Sequence, residues 1–196
     1  MSASAPRLLL ASTSRYRAEL LRRLDIPFDT RAPHTDETPQ PGEAARARAL
    51  RLAIAKAEAA AEGLRDTLVI GSDQVAELDG AILRKPGSVE NACAQLAASA
   101  GRQVHFHTAL CVLDTRNGRR HTHVDHTRVH FRALDEAEIA RYVAREQPLD
   151  CAGSFKCEGL GISLFDAIDT RDPSALIGLP LIALARLLRE GGIPLP

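Results

Sequence analysis

The chain has 196 residues, 45% of them hydrophobic, and its 25 basic side chains balance its 25 acidic ones. This balance gives no overall field that would recruit nucleic acid or an anionic membrane, so we expect neither as a partner. Leu8–Leu10 is too short for a signal peptide, no run approaches the roughly 20 apolar residues of a membrane helix, and the four cysteines lack CxxC spacing, so we expect one reduced, cytoplasmic domain over residues 1–196.

The first third of the chain predicts a strand followed by two helices. Arg7–Ala11 has the pattern of a strand, and Ser12 or Ser14 can cap the helix that follows it. An alanine-rich helix is predicted from Glu43 to Glu62. Lys56 interrupts the apolar face of that helix. Its stem could pack against the core with the ammonium in water, or the ammonium could contact a phosphate.

A second strand is predicted at Thr67–Ile70, an apolar run that breaks at Gly71. Asp73 would then lie where the strand ends, at the edge of a sheet, where α/β proteins bind their ligands. The Asp79-Gly80 pair predicts a two-residue hairpin, and Lys85 follows that hairpin.

The second half of the chain predicts a long ribbon and further helices. The ribbon consists of Val104–Leu113 and Arg119–Phe131. Asp135 and Glu138 form a capping box for the next helix, and Leu181–Leu188 forms the last one. Strands alternate with helices along the chain, but hairpins also occur, so we predict a mixed sheet that contains parallel and antiparallel strands. The predicted fold is α/β and two-lobed, with a twisted mixed sheet flanked by helices and a central cleft.

Six of the seven histidines lie in this ribbon. A two-residue turn at Asn117-Gly118 would place His105 opposite His130, and such a pair could bind a metal. The alternative is a set of exposed histidines with no metal role. We favour the alternative, because no third ligand follows the spacing.

The polar loop after the first strand and the scattered cations suggest a phosphate site. Ser12 and Ser14 at a helix start offer hydroxyls and backbone N–H groups to an anion, although the local sequence alone favours a simple cap with solvated arginines. Arg17, Lys56 and Lys85 together could neutralise a triphosphate.

Glu37 and Asp73 are the candidate acids. One carboxylate could hold a divalent cation while the other orients or deprotonates water. Composition does not decide which acid has which role.

These residues in this order resemble the Maf family of nucleotide pyrophosphatases over nearly the whole chain. The matching blocks are LLLASTSRYRAELL, DET, AKAEA, VIGSDQVAELDGAILRKP, SAGRQVHFHTAL, CAGSFKCEGLGISL and IGLPL. The resemblance implies a Maf/ITPase-like fold and hydrolysis of a nucleoside triphosphate to a monophosphate and pyrophosphate. It also implies a divalent cation, Mg²⁺ or Mn²⁺, and a homodimer. By motif, Asp73 would accept a proton and share the metal with Glu37. The phosphate or metal contacts would be Ser12, Ser14, Arg17, Glu37, Lys56 and Lys85.

Branches of the family differ at the positions of Tyr16, Gln74 and Glu158. The GSDQ and FKCEG blocks resemble the branch that acts on 7-methyl-GTP. Methylation at N7 makes guanine cationic, so stacking on Tyr16 would gain about 0.5–2 kcal/mol, and Glu158 could accept from the guanine N–H edge. That branch usually has Trp at the position of Tyr16, and the family commonly has Pro at that of Arg15. One alternative is a dTTP/UTP pyrophosphatase. The other is a regulator of cell division that binds a nucleotide without hydrolysing it.

Overall fold

The structure is a computed structural model that describes residues 5–196; residues 1–4, the start of the predicted 1–196 domain, lie outside the described part. The described strands are β1 Arg7–Ala11, β2 Asp29–Thr30, β3 Thr67–Leu78, β4 Ala81–Leu83, β5 Gln103–Asp114, β6 Arg119–Phe131 and β7 Phe165–Asp169. The described helices are α1 Arg15–Arg22, α2 Ala45–Ala61, α3 Val89–Ser99, α4 Glu136–Glu146, α5 Pro173–Ile177 and α6 Leu181–Glu190, with a 3₁₀ helix at Leu160–Leu164. Within residues 5–196, no helix is long and apolar enough to cross a membrane.

The seven strands form one mixed sheet, as predicted. Their order is β2-β1-β3-β5-β6-β7, and β4 pairs with β3. β1 runs parallel to β2 and β3, whereas β4 on β3 and β7 on β6 are antiparallel. The register of β1 and β3 sets Ala11 beside Gly71. The residues that follow β1 therefore lie close to Ser72 and Asp73.

The predicted strand break at Gly71 is wrong, because β3 continues from Thr67 to Leu78. Asp73 therefore lies within a strand rather than at its end. The glycine has a packing reason instead: a Cβ at residue 71 would clash with the carbonyl oxygen of Ala53 and lie 2.7 Å from the backbone nitrogen of Ala57. α2 approaches β3 this closely only because residue 71 has no side chain.

The chain divides into two compact units, and the first holds the described residues up to Asp73 together with Thr108–Asp125 and Asp172–Pro196. Alternate residues of β1 and β3 point to opposite faces. On one face, the leucines of these strands pack with those of α1 and α6. The buried members of this core include Leu8, Leu10, Leu20, Leu21, Leu68, Ile70, Leu179, Leu184 and Leu188.

The second unit consists of Gln74–His107 and His126–Arg171. Edge-to-face phenylalanine pairs, with ring centroids 4.8–5.6 Å apart, form its aromatic core. The predicted Asp79-Gly80 hairpin is confirmed, and both residues have the positive φ that this turn requires. The capping box at the start of α4 is also confirmed.

The ribbon of β5 and β6 has a longer turn than predicted. Four residues, 115–118, separate the two strands, so the register differs from that of a two-residue turn. The prediction that His105 lies opposite His130 is wrong. His105 Nδ1 lies 2.9 Å from His126 Nε2, and His130 Nε2 lies 2.9 Å from Asp169 Oδ2.

Candidate active site

An ammonium group lies against two carboxylates in the first unit. Lys56 Nζ is 2.6 Å from Asp73 Oδ1 and 2.7 Å from Glu37 Oε1. Lys56 and Asp73 are each only 8% exposed, whereas the side chain of Glu37 is 56% exposed. The alternative in which the Lys56 ammonium snorkels to water is therefore wrong. We call these three residues the acid–ammonium cluster.

Strand and helix periodicity explain why Lys56 meets Asp73. Gly71 and Asp73 are two residues apart on β3 and so face the same side of the sheet. Gly71 faces Ala53 and Ala57 of α2. Lys56 follows Ala53 by one helical turn and shares its face. The close approach at Gly71 thus brings the lysine within reach of the carboxylate.

Two arginines of α2 hold the loop that carries Glu37. Arg48 Nη2 donates to the carbonyl oxygen of Glu37 at 3.1 Å, and Arg51 Nη2 donates to that of Thr38 at 3.2 Å. Arg51 also donates two hydrogen bonds to the Glu43 carboxylate, from Nε to Oε1 at 2.6 Å and from Nη2 to Oε2 at 2.7 Å. These bonds lower the pKa of the Glu43 carboxyl below its usual value. Neither arginine is predicted from the sequence, because their acceptors on Glu37 and Thr38 are backbone carbonyls.

Arg17 lies in the field of the same carboxylates. Its Nε donates to the carbonyl oxygen of Gly178 at 2.9 Å, and Ser72 Oγ lies 3.0 Å from that oxygen. Burial lowers the pKa of Arg17 from its usual value, while the negative charges of Asp73 and Glu37 act to raise it. The Gly178 carbonyl therefore orients a cation close to the acid–ammonium cluster, a contact that the sequence analysis did not anticipate.

The two serines after β1 form a tight turn into α1. Ser14 is the N-cap, and its side chain accepts a hydrogen bond from the backbone N–H of Arg17 at 3.4 Å. The backbone N–H of Ser14 donates a hydrogen bond to Ser12 Oγ at 3.1 Å. On the first turn of the helix, the Arg15 guanidinium lies over the Tyr16 ring, 4.8 Å from its centroid. A cation thus already lies over the ring of Tyr16, and Arg15 Nη2 also donates to the Tyr16 hydroxyl at 2.8 Å.

The other three predicted site residues belong to the second unit. Gln74 is half-buried on β3, Lys85 is exposed after β4, and Glu158 is exposed before the 3₁₀ helix. Glu158 Oε2 lies 3.6 Å from Cys157 Sγ. Burial raises the pKa of Cys157 to about 12, and the negative charge of Glu158 acts in the same direction. The roles assigned to these three residues stay predictions.

The acid–ammonium cluster also has the donors that a hard divalent cation needs. Among residues 5–196, no group of three His, Cys, Asp or Glu side chains is arranged to hold a metal ion. Mg²⁺, however, is commonly bound by one or two carboxylates, with waters and substrate phosphates completing its shell. Glu37 and Asp73, whose oxygens already contact one cation, fit that description.

Comparison with known proteins agrees with this geometry. A family profile described as "Maf-like protein" matches residues 7–191. A 7-methyl-GTP pyrophosphatase from Burkholderia thailandensis is 58% identical over 197 residues, covering 99% of this chain and 92% of its own length. Another from Xanthomonas oryzae pv. oryzae is 60% identical over 192 residues, covering 97% and 100%. Because both the family profile and these relatives span almost all of it, the chain belongs to the Maf family.

Proposed function

We propose that this chain is a nucleoside triphosphate pyrophosphatase that hydrolyses 7-methyl-GTP to 7-methyl-GMP and pyrophosphate. The observation that carries the proposal is the acid–ammonium cluster, in which two carboxylates contact one ammonium group, with Arg17 in the field of the same carboxylates. Relatives that are 56–60% identical and named 7-methyl-GTP pyrophosphatase support this choice of substrate.

We assign Glu37 and Asp73 to a divalent cation, Mg²⁺ or Mn²⁺. Carboxylate oxygens are the ligands these ions prefer, and both side chains already face one positive charge. When bound, such an ion supplies charge neutralisation to the phosphate groups and a template for the attacking water.

We assign Asp73 the role of general base. Water attacks the α-phosphorus and forms a new P–O bond, while the bond to the bridging oxygen breaks and pyrophosphate leaves with the electron pair. The proton of the water passes to Asp73. Lys56, 2.6 Å from that carboxylate, holds it in place and contributes positive charge toward the polyphosphate.

We assign the remaining phosphate contacts to the cations and the helix start. Ser12 and Ser14 stand at the N-terminal end of α1, where the helix dipole favours an anion. The Gly178 carbonyl fixes Arg17 through its Nε, which orients the planar guanidinium for phosphate oxygens. We also assign Lys85 to a phosphate contact, as the family resemblance implies.

Tyr16, Gln74 and Glu158 select the base in this proposal. The position of the Arg15 guanidinium over the Tyr16 ring supports it, because the methylated guanine also carries a positive charge. The carboxylate of Glu158 would accept from the guanine N1–H and N2–H₂ groups, which uracil and thymine do not match.

The proposal extends to the whole protein. Residues 1–196 act as one catalytic domain, in the cytoplasm and as a homodimer, with the nucleotide as its ligand and without binding nucleic acid. A family match over residues 7–191 supports a single domain, and zero formal net charge disfavours a nucleic-acid partner. The homodimer rests on the family resemblance alone.

A nucleotide panel tests the proposal. The protein is incubated with 7-methyl-GTP, GTP, dTTP, UTP or CTP and with Mg²⁺ or Mn²⁺, and pyrophosphate and orthophosphate are measured separately. We expect pyrophosphate as the first product, released fastest from 7-methyl-GTP. Preference for dTTP and UTP would indicate the other branch of the family, and binding without turnover would indicate a regulator. Orthophosphate as the first product would refute the reaction.

A further inference from the structure

Three histidines of the β5–β6 ribbon form a cluster in the second unit. His105 and His107 are two residues apart on β5 and so share one face of the strand. His126, on β6, contacts both of them. Its ring is parallel to theirs within 9° and 8°, with centroids 5.2 Å from that of His105 and 4.9 Å from that of His107. Because His126 is exposed and the other two are half-buried, solvent reaches this cluster.

Two nitrogens of the cluster are spaced like two ligands of one metal ion. His105 Nδ1 and His126 Nε2 are 2.9 Å apart. Imidazole nitrogens lie about 2.0–2.1 Å from a bound transition metal, so two such ligands at square or tetrahedral angles are about 2.8–3.4 Å apart. One of the two nitrogens now donates a proton to the other. If the donor ring adopts its other tautomer, with the proton on its second nitrogen, both facing nitrogens present a lone pair.

We propose that His105 and His126 bind a transition-metal ion of the Cu²⁺, Ni²⁺ and Zn²⁺ class. Imidazole suits these ions, whereas Mg²⁺ prefers the oxygens that Glu37 and Asp73 provide. The two His side chains supply two ligands, and water or other small ligands complete the shell. Stacking on His107 restricts the ring of His126 and keeps its nitrogen directed at His105. This proposal is independent of the pyrophosphatase reaction.

This proposal differs from the expectation that these histidines have no metal role. The metal-binding alternative considered from the sequence paired His105 with His130, and the expectation against it rested on the lack of a third ligand at that spacing. The four-residue turn brings a different histidine to His105. A two-ligand site binds more weakly than a three-ligand one, and its affinities follow the order of divalent ions in which Cu²⁺ is highest.

Copper binding to the full-length, tag-free protein tests the proposal. Cu²⁺ is added at one equivalent, nitrogen ligation is read from the electron paramagnetic resonance spectrum, and affinity is measured against a competing chelator. We expect nitrogen ligation from two imidazoles in the wild type. His105→Ala and His126→Ala should each weaken Cu²⁺ binding at least about tenfold. Removing a residue that only supports a metal ligand already costs about tenfold in affinity, and removing a ligand should cost no less.

Two control variants separate the site from the other histidines. His121→Ala should leave Cu²⁺ binding unchanged, since His121 lies near Glu190 in the first unit. His107→Phe keeps a flat ring for stacking and should also retain binding. His126→Gln, at an exposed position, provides a second variant if His126→Ala fails to fold. Unchanged affinity in the His105 and His126 variants, or loss of binding in either control, would overturn the assignment.

Discussion

Replacement of Lys56 by Met perturbs the acid–ammonium cluster with little change in volume. Methionine keeps the apolar stem and removes the ammonium. Asp73, 8% exposed, then loses the cation 2.6 Å from it. Breaking a buried ion pair by removing one partner costs about 3–5 kcal/mol, because the other charge stays buried. Since the positive charge of Arg17 offsets part of this penalty, we expect a loss of about 3 kcal/mol, at the lower end of that range.

A second ion pair in the same unit provides a matched control. Arg120 Nη1 lies 2.6 Å from Glu58 Oε1, the same distance as in the Lys56 pair, but both side chains are about half exposed, at 52% and 46%. Exposed pairs contribute about 0–1 kcal/mol, so Arg120→Met should have little effect. Urea unfolding without divalent metal measures both variants. Equal losses of stability would refute the argument that burial makes the Lys56 pair important.

Added Mg²⁺ tests whether the two acids remain a cation site in the Lys56→Met variant. The ion should bind where the ammonium was and stabilise the variant, by about 2.7 kcal/mol at a hundred times its dissociation constant. The double variant Lys56→Met/Asp73→Asn keeps only one carboxylate and should lose most of this effect. Equal stabilisation of the single and double variants would place the metal elsewhere.

Four further outcomes follow from the same contacts. Asp73→Asn should lower kcat by about 10²–10⁴-fold while nucleotide binding, measured by calorimetry, is retained; full activity would remove Asp73 from the base role. Glu158→Gln should reduce selection of 7-methyl-GTP over UTP by about tenfold, the equivalent of about 1.4 kcal/mol, and unchanged kcat/KM ratios would contradict that role. Gly71→Ala should cost at least about 2 kcal/mol in urea unfolding, because the new methyl group meets the backbone of α2; wild-type stability would show that the helix can move away. Arg51→Met should raise the Mg²⁺ concentration needed for half-maximal activity, with Arg51→Lys intermediate, and an unchanged requirement would mean that the loop holding Glu37 does not need this clamp.

The elements that the sequence predicted correctly depend on contacts between near neighbours. The Ser14 cap bonds to a backbone N–H three residues away. The capping box pairs Asp135 with Glu138, also three residues apart. The Asp79-Gly80 hairpin needs only two residues that tolerate positive φ. In each case the whole interaction lies within the window that the pattern describes, so the pattern is sufficient.

The predictions that were wrong, and the contacts that were not predicted, involve residues distant from each other in the chain. Gly71 within an apolar run has the pattern of a strand break, and only the approach of Ala53, on a separate helix, shows why a glycine is needed in an unbroken strand. The pairing of His105 depends on a turn ten residues away, where a two-residue error in length changes every partner along β6. The oxygen that positions Arg17 belongs to Gly178. A backbone carbonyl carries no residue-type signal, so no sequence pattern identifies that acceptor.

The candidate site falls between these two cases. The pattern identified Lys56 as a cation on an apolar helix face, where a buried charge without a partner is unfavourable, but left open whether its ammonium reaches water or a phosphate. The motif resemblance placed Asp73, Glu37 and Lys56 in one site but did not pair them. The packing of α2 against β3 at Gly71 explains why the contact between Lys56 and Asp73 is direct.

Packing and chemistry are coupled in this site through one backbone contact. Gly71 and Asp73 lie on the same face of β3, and the missing side chain at Gly71 sets how close α2 comes to that face. Lys56 shares the surface of α2 that makes this approach, so its distance of 2.6 Å from Asp73 depends on the glycine two residues earlier. A larger residue at position 71 would push the helix outward and separate the ammonium from the carboxylate. A change that affects only packing would therefore also alter the charge arrangement at the proposed catalytic base.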